Sequence, residues 1–182
     1  MAILVGYASA HGSTRGIAER IASRLVEAGH EVEMQDLCRN EHFGEYDAFV
    51  LGSAVHGRAW LIEASEAVLA NREILRHRPV WLFSVGMPAA LRGPWRALAD
   101  KEEPMVSAPL RKAITPREHR LFSGVFRPEH ISFTGRVMFR AMGCRYGDYR
   151  DWEAIDEWAQ GIARQITAER AHRQGTSGLG GP

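Results

Sequence analysis

The chain has 182 residues, and its 23 Lys and Arg residues nearly balance its 22 Asp and Glu residues, giving a net charge of +1. This length fits one domain with a substantial core, and the lack of a basic excess argues against a nucleic-acid partner. Two cysteines form no C-x-x-C motif and eight histidines show no metal-ligand spacing, so we expect a cytoplasmic protein without a metal site.

Nothing in the hydropathy pattern predicts a membrane span. The N-terminal apolar run has no basic region before it, which argues against a signal peptide. No apolar stretch approaches the roughly 20 residues that cross a bilayer. We therefore expect membrane contact, where it occurs, to be peripheral.

The first element is a short apolar strand at residues 2–7, followed by the polar loop 9–14 and a helix-period segment. A helix start offers unpaired N–H groups and a partial positive charge, which favour an anion. Ser9, Ser13 and Thr14 supply hydroxyls, and Gly12 allows a close turn. Two interpretations stay open: a phosphate site, or simple capping of the helix by Ser13 or Thr14.

The next elements alternate between strands and helices. The first helix is predicted to end at Gly29, a second strand covers residues 31–34, and a third covers 46–52. The small-residue loop 53–58 follows the third strand. A helix is expected at 61–75, and a fourth strand at 79–85 ends in a loop at 84–89.

The C-terminal part is less regular. Proline interrupts residues 91–118, a fifth strand is predicted at 121–126, and the unusual segment 127–150 follows. A final helix covers 151–169, with Asp151 as its N-cap and apolar residues at helical spacing: Ile155, Trp158, Ile162 and Ile166. Residues 171–182 are polar and glycine-rich, so we predict one domain at 1–170 and a flexible tail at 171–182.

Alternating strands and helices predict an α/β protein with a doubly wound parallel sheet. In such sheets, ligands bind beyond the carboxyl ends of the strands where the strand order reverses. Loops rich in small residues follow the first, third and fourth strands, and we expect them to meet at that edge. Capping explains one such loop more easily than three.

The first loop resembles the phosphate loop of flavodoxins, T-x-T-G-x-T, with Ser9 and His11 at the first two Thr positions and Gly12 and Thr14 matching. Further motifs extend the resemblance over residues 2–169: Tyr46-Asp47-Ala48, Gly52-Ser53-Ala54-Val55-His56-Gly57, Phe83-Ser84-Val85, Phe122-Ser123-Gly124, Gly147-Asp148-Tyr149, Asp151-Trp152 and Trp158-Ala159. The chain is similar to flavodoxin-domain proteins, the group that includes menaquinone-dependent protoporphyrinogen dehydrogenases.

This resemblance implies a five-stranded sheet in the order 2-1-3-4-5, an insert between the fifth strand and the last helix, and FMN as the cofactor. It also implies an oxidoreductase of heme biosynthesis that passes hydride equivalents from a planar substrate, protoporphyrinogen IX, to a quinone. The implied cofactor-binding residues are Ser9, Ala10, His11, Gly12, Ser13, Thr14, Ser53, Ala54, Val55, His56, Gly57, Ser84, Val85, Gly86 and Met87. A flavodoxin-type electron carrier and a flavin-free binding module of the same fold remain as alternatives.

Charge separates these alternatives. Electron-carrier flavodoxins are strongly acidic, and this chain has no such excess. His56 and Arg58, in the loop expected to border the flavin ring, are our catalytic candidates, because positive charge there stabilises reduced anionic flavin and favours two-electron chemistry. The alternative for both is a solvated surface position.

The segment around the insert is basic. Residues 111–150 contain nine Lys or Arg against three acids, interleaved with apolar side chains. Insert 127–150 is therefore suited to an anionic membrane surface on the inner face or to porphyrinogen propionates; a core helix with a solvated basic face is the alternative. Trp60 and Trp95 are candidates to stack on the flavin or to fill the core. The oligomeric state is left open.

Overall fold

The computed structural model describes residues 1–39, 43–56, 59–86, 107–130 and 145–177. The strands are β1 (Ala2–Ala8), β2 (Glu31–Asp36), β3 (Ala48–His56), β4 (Ala59–Trp60), β5 (Val80–Gly86), β6 (Glu118–Ser123), β7 (Val125–Phe126) and β8 (Gly147–Asp148). The helices are α1 (Ser13–Glu27), α2 (Ile62–Ala70), α3 (Arg72–Arg76), α4 (Ala108–Ile114) and α5 (Trp152–Ser177). Two 3-10 turns lie at Phe43–Glu45 and Pro128–His130.

The main sheet has the strand order β2-β1-β3-β5-β6, and all four of these pairings are parallel. This confirms the predicted doubly wound fold and its order, since β5 and β6 are the fourth and fifth parallel strands. The short strand β4 pairs antiparallel with the end of β3, and β7 pairs antiparallel with β8 in a separate two-stranded sheet.

The core lies on both faces of the sheet. On one face, α1 buries Ile17, Ile21 and Leu25, and α5 buries the apolar positions predicted from their spacing: Ile155, Trp158, Ile162 and Ile166. On the other face, α2, α3 and α4 bury Ala64, Val68, Leu75, Leu110 and Ile114. Each fully buried Ile or Leu side chain contributes about 1.5–3 kcal/mol, so these faces hold the helices on the sheet.

The helix ends follow local chemistry. Gly29 has φ +85, and the N–H groups of Gly29 and His30 donate to the carbonyls of Val26 and Leu25, which forms the predicted glycine C-cap of α1. At the start of α5, the Asp151 carboxylate accepts the N–H of Ala154 at 3.0 Å, so Asp151 is the N-cap as predicted.

Several predicted boundaries are wrong. The third strand does not end at residue 52, because residues 53–56 continue β3 and pair with β4. The predicted helix 61–75 is two helices, since Asn71 separates α2 from α3. The predicted fifth strand 121–126 is corrected to β6, and its last two residues form β7.

The C-terminal helix is longer than predicted. Helix α5 continues to Ser177, where the sequence predicted an end at residue 169 and a flexible tail from residue 171. Residues 178–182 of that tail lie outside the described residues, and the domain boundary at residue 170 stays a prediction. Within the ranges that the structure describes, no helix has the length and apolarity needed to cross a bilayer.

Candidate functional site

The strand register brings the predicted binding segments to one edge of the sheet. Ala8 at the end of β1 is aligned with Ser53 of β3, and Ser53 is aligned with Ser84 of β5. The strand order reverses between β1 and β3, because β2 lies on one side of β1 and β3 on the other. This edge is therefore the switch point where doubly wound sheets bind ligands.

The loop between β1 and α1, which we call the phosphate loop (residues 9–12), is held in a tight turn. The Gly12 N–H donates to Ser9 Oγ at 2.9 Å, and Gly12 has φ +86, which strains any residue with a side chain. No described atom lies within 4 Å of an ideal Cβ on Gly12. The turn therefore has open space beside Gly12.

The first turn of α1 offers hydrogen-bond donors. Its first i→i−4 bond runs from Gly16 N–H to Gly12 C=O, so the N–H groups of Ser13, Thr14 and Arg15 lie ahead of it. The N-cap position is Gly12, which has no side-chain cap bond. Ser13 and Thr14 are therefore helical residues, and the capping interpretation does not describe them.

Thr14 provides the clearest sign of a missing partner. Its side chain is fully buried, and Oγ1 has no hydrogen-bond partner in the part of the chain that the structure describes. Burying an unpaired hydroxyl costs about 1–3 kcal/mol, so such groups in native proteins call for an explanation. A phosphate at this helix N-terminus accepts that hydroxyl and the adjacent N–H groups, so the residues fit a phosphorylated cofactor.

The second predicted segment is the end of strand β3 rather than a loop. Ser53 is buried, and its Oγ accepts the Leu61 N–H at 3.1 Å and donates to the Ala54 carbonyl at 3.0 Å. Val55 and His56 pair with Trp60 and Ala59. Ala54 and Val55 are half-buried, and His56 is exposed at the end of β3; their contact with a ligand stays a prediction.

The third segment, at the end of β5, is held by a buried hydrogen-bond chain. Trp60 Nε1 donates to Ser84 Oγ at 2.7 Å, and Ser84 Oγ lies 2.8 Å from His119 Nε2. Because an indole only donates, Ser84 Oγ accepts from Trp60, and the direction of its bond with Nε2 of the neutral His119 ring is set by the tautomer of that ring. Burial, with a smaller effect of the Arg111 charge, lowers the pKa of His119 to about 4.

This chain of bonds decides the position of Trp60, which is only 3% exposed and belongs to the core on the α2 face. The core interpretation of Trp60 is therefore the one that the structure supports. Partners within the protein therefore occupy the Ser53 and Ser84 hydroxyls. Val85 and Gly86 complete the described part of this segment, and their contact with a cofactor stays a prediction.

The base of the insert packs against α1. The Arg150 guanidinium bonds both oxygens of Asp148, lies 4.5 Å from the Trp152 ring centroid, and sits where an ideal Cβ on Gly16 would meet it at 2.9 Å. The paired guanidinium holds the pKa of Asp148 below its usual range. The end of the insert is thus fixed beside the first turn of α1.

Several predicted residues lie outside the described ranges. These are Gly57, Arg58, Met87, Trp95 and positions 131–144 of the insert. His11 is exposed at the phosphate loop, and Ala10 beside it is also exposed. Among the residues that the structure describes, no group of His, Cys, Asp or Glu side chains forms a metal-binding cluster.

The flavodoxin domain family matches residues 4–151 of this sequence, which is most of the chain and includes all three segments. The chain belongs to the flavodoxin domain family. Family membership, together with the unpartnered Thr14 hydroxyl, indicates FMN as the cofactor and a redox protein as the broad class.

Relatives of this flavodoxin-domain protein include the Protoporphyrinogen IX dehydrogenase [quinone] of Escherichia coli strain K12. It is 25% identical over 179 residues, which cover 90% of this chain and 95% of the relative. Among solved structures, Flavodoxin 2 from Bacillus cereus is 22% identical with a TM-score of 0.59, covering 91% of this chain and 99% of that one.

The rubredoxin oxygen:oxidoreductase of Desulfovibrio gigas is also similar, with a TM-score of 0.64 at 15% identity. The match covers 93% of the flavodoxin-domain chain, but this spans only 37% of the D. gigas protein. Both solved structures therefore support the fold.

Sequence reasoning missed three features of the site. It did not predict the hydrogen-bond chain from Trp60 through Ser84 to His119 or the packing of Arg150 against α1. It also did not predict how closely Gly124 approaches Ser13 and Val85. The spacing of Trp60, Ser84 and His119 along the chain gives no signal, because only the pairing of β4 with β3 and β5 with β6 brings them together.

Proposed function

We propose that this flavodoxin-domain protein is an FMN-dependent oxidoreductase of heme biosynthesis that transfers reducing equivalents from protoporphyrinogen IX to a quinone. The observation that supports this substrate is the match with a protoporphyrinogen IX dehydrogenase, which covers nearly all of both chains. The net charge of +1 also supports an enzyme over a strongly acidic electron carrier.

Bound FMN would supply the two-electron chemistry. The chain itself needs to bind the cofactor and the substrate, to orient them, and to provide an electrostatic field around them. The phosphate loop and the first turn of α1 hold the phosphate, and the ends of β3 and β5 border the ring. His56 and Arg58 are proposed to face the ring, where positive charge stabilises negative charge that develops on it. Each turnover removes a hydride and a proton from the porphyrinogen, and the quinone gains two electrons and two protons.

The basic insert 127–150 is proposed to contact the propionates of the substrate or the anionic inner face of a membrane, where a lipid-soluble quinone resides. Arg127 and Arg145, at its two ends, are exposed. We accordingly propose a cytoplasmic protein with peripheral membrane contact. Porphyrinogen and quinone are its proposed small-molecule partners.

The test is an anaerobic assay of the FMN-loaded protein with protoporphyrinogen IX and a menaquinone analogue. We expect porphyrin fluorescence to rise only when protein, FMN and quinone are all present, with the FMN-free protein as the control. Fluorescence no higher than in that control would remove protoporphyrinogen from the proposal.

The same preparation separates the two alternative functions. Stepwise reduction should pass directly from the oxidised to the two-electron-reduced flavin. A strongly populated one-electron-reduced flavin would instead support an electron carrier. A colourless protein that does not bind added FMN would support a flavin-free binding module.

A further inference from the structure

Gly124 joins three parts of the candidate site. It lies between β6 and β7 and is buried. Its N–H donates to the Gly86 carbonyl at 2.9 Å, and its carbonyl accepts the Tyr149 N–H at 3.2 Å. The end of β5 and the base of the insert are therefore both bonded to this one residue.

The third part is the phosphate loop and the start of α1. An ideal Cβ on Gly124 would lie 3.0 Å from Ser13 Oγ and 3.4 Å from Ser13 Cβ. It would also lie 2.9 Å from Val85 Cγ1. Ser13 is the first residue of α1, and Val85 is the penultimate residue of β5, so a side chain at position 124 displaces one or both.

The restriction at Gly124 is steric. Its φ does not fall in the left-handed region, whereas the φ of Gly12 does. Alanine can therefore adopt the backbone conformation at position 124, and only the space beside Ser13 and Val85 opposes it. Val85 is β-branched with a restricted rotamer, so it yields less readily than the Ser13 hydroxyl.

We propose that Gly124 is a positioning residue for the cofactor, because its missing side chain sets the distance between the start of α1 and the end of β5. This inference rests on the proposed binding of FMN between those two segments. It assigns to the β6–β7 junction a role in cofactor affinity that is separate from any contact with the substrate.

The test compares the variants Gly124→Ala and Gly147→Ala, with FMN affinity measured by the quenching of flavin fluorescence on addition of apoprotein. Gly147, in the two-stranded sheet next to Gly124, is the matched control, since the atoms nearest to an ideal Cβ there belong to Tyr149 and lie at 3.5 Å or more, an ordinary contact distance. We expect G124A to bind FMN about tenfold more weakly than wild type, because overpacking displaces Ser13 or Val85. G147A should bind like wild type.

A double variant tests the mechanism. Ser13→Ala removes the hydroxyl oxygen that lies 3.0 Å from the new Cβ, so the FMN affinity lost in G124A/S13A should be smaller than the product of the two single losses. Strictly multiplicative losses would overturn the proposed contact with Ser13.

If G124A does not fold, V85A and V85A/G124A replace it, since the 2.9 Å contact with Val85 Cγ1 is then gone while the contact with Ser13 remains. Weaker FMN binding by V85A/G124A than by V85A supports the inference, and equal affinity overturns it. Equal FMN affinity of folded G124A and wild type also overturns it while leaving the proposed function intact. A wild-type protein that does not bind FMN overturns both.

Discussion

At the scale of single residues, the Thr14 hydroxyl is a group that we expect to serve FMN binding and not the stability of the fold. It is buried without a partner in the described part of the chain, and it stands at the helix end where we propose that the FMN phosphate binds. The sequence predicted the location of this loop, because a hydroxyl and glycine cluster after a strand is a local pattern. The burial of Thr14 and the absence of capping depend on packing, which the sequence does not display.

We predict that Thr14→Val weakens FMN binding by about 10- to 100-fold, since a hydrogen bond to a charged group contributes about 1.5–3 kcal/mol. The melting temperature of the apoprotein should stay the same or rise, because valine has the same shape and removes an unpaired buried hydroxyl. Thr167→Val is the control, since Thr167 lies on α5 and bonds the Ala163 carbonyl. Equal FMN affinity of T14V and wild type would contradict the assignment.

His119 is a second residue whose behaviour follows from its surroundings. Its pKa is lowered from 6.5 to about 4, so the folded protein binds a proton there less readily than the unfolded chain. The stability that His119 contributes is therefore fully present above pH 6.5 and is lost as the pH falls from 6.5 toward 4.

We predict that the difference in stability between wild type and His119→Gln shrinks by on the order of 1 kcal/mol between pH 7 and pH 5, allowing for partial exposure of the ring. Chemical denaturation at both pH values measures it. His77→Gln, at an exposed histidine, is the control for the loss of an imidazole. A constant difference between wild type and H119Q would mean that His119 titrates normally in the folded protein.

At the scale of elements, α1 and α5 are joined by an ionic cluster beside their apolar contact. The Asp156 carboxylate accepts bonds from Arg20 at 2.6 and 2.7 Å and from Arg24 at 2.7 Å. These two arginines hold the pKa of Asp156 well below its usual range. Asp156 is only 19% exposed, so the cluster is partly buried. Neutralising Asp156 leaves the Arg20 and Arg24 cations close together without their shared counter-charge.

We predict that Asp156→Asn lowers the melting temperature by a few degrees at pH 7, while the affinity for FMN stays unchanged. Glu157→Gln is the control, since Glu157 is the adjacent acid on α5 and is exposed. Equal melting temperatures for D156N and E157Q would show that the cluster adds no stability. A large loss of FMN affinity in D156N would show that the α1–α5 contact also determines the position of the phosphate loop.

Elements with strong periodicity were predictable, and elements shaped by their neighbours were not. The apolar spacing of α1 and α5 identified their buried faces. The helix break was missed because the Asn71 amide bonds the Ala67 carbonyl, which ends α2 and begins α3 without glycine or proline. The first three residues of β6 are polar, as an edge strand allows, so the apolar pattern alone placed it too late.

The end of α5 shows a different limit. The composition after residue 170 suggested a flexible tail, because this stretch is too polar and glycine-rich to pack well. Helix α5 nevertheless continues to Ser177, and Ala171, Arg173 and Gln174 at the start of this stretch are good helix formers. Composition predicts packing better than it predicts local backbone conformation.

At the scale of the whole molecule, the parallel order β2-β1-β3-β5-β6 produces the site. The order places the ends of β1, β3 and β5 side by side, and the register aligns Ala8, Ser53 and Ser84 at one edge. The sequence predicted this meeting point from the alternating elements, the small-residue loops after three strands and the strand order that the resemblance to flavodoxins implies. The side-chain directions of Ser53 and Ser84 needed the structure, because both hydroxyls bond within the protein.

The measurement that tests the central claim most directly is a pair of titrations of the apoprotein, one with FMN and one with riboflavin. The two ligands share the ring and differ by the phosphate that we place at the start of α1. We predict that FMN binds at least about 100-fold more tightly than riboflavin, since several charge-assisted bonds hold the phosphate. Equal affinities for FMN and riboflavin would contradict the account.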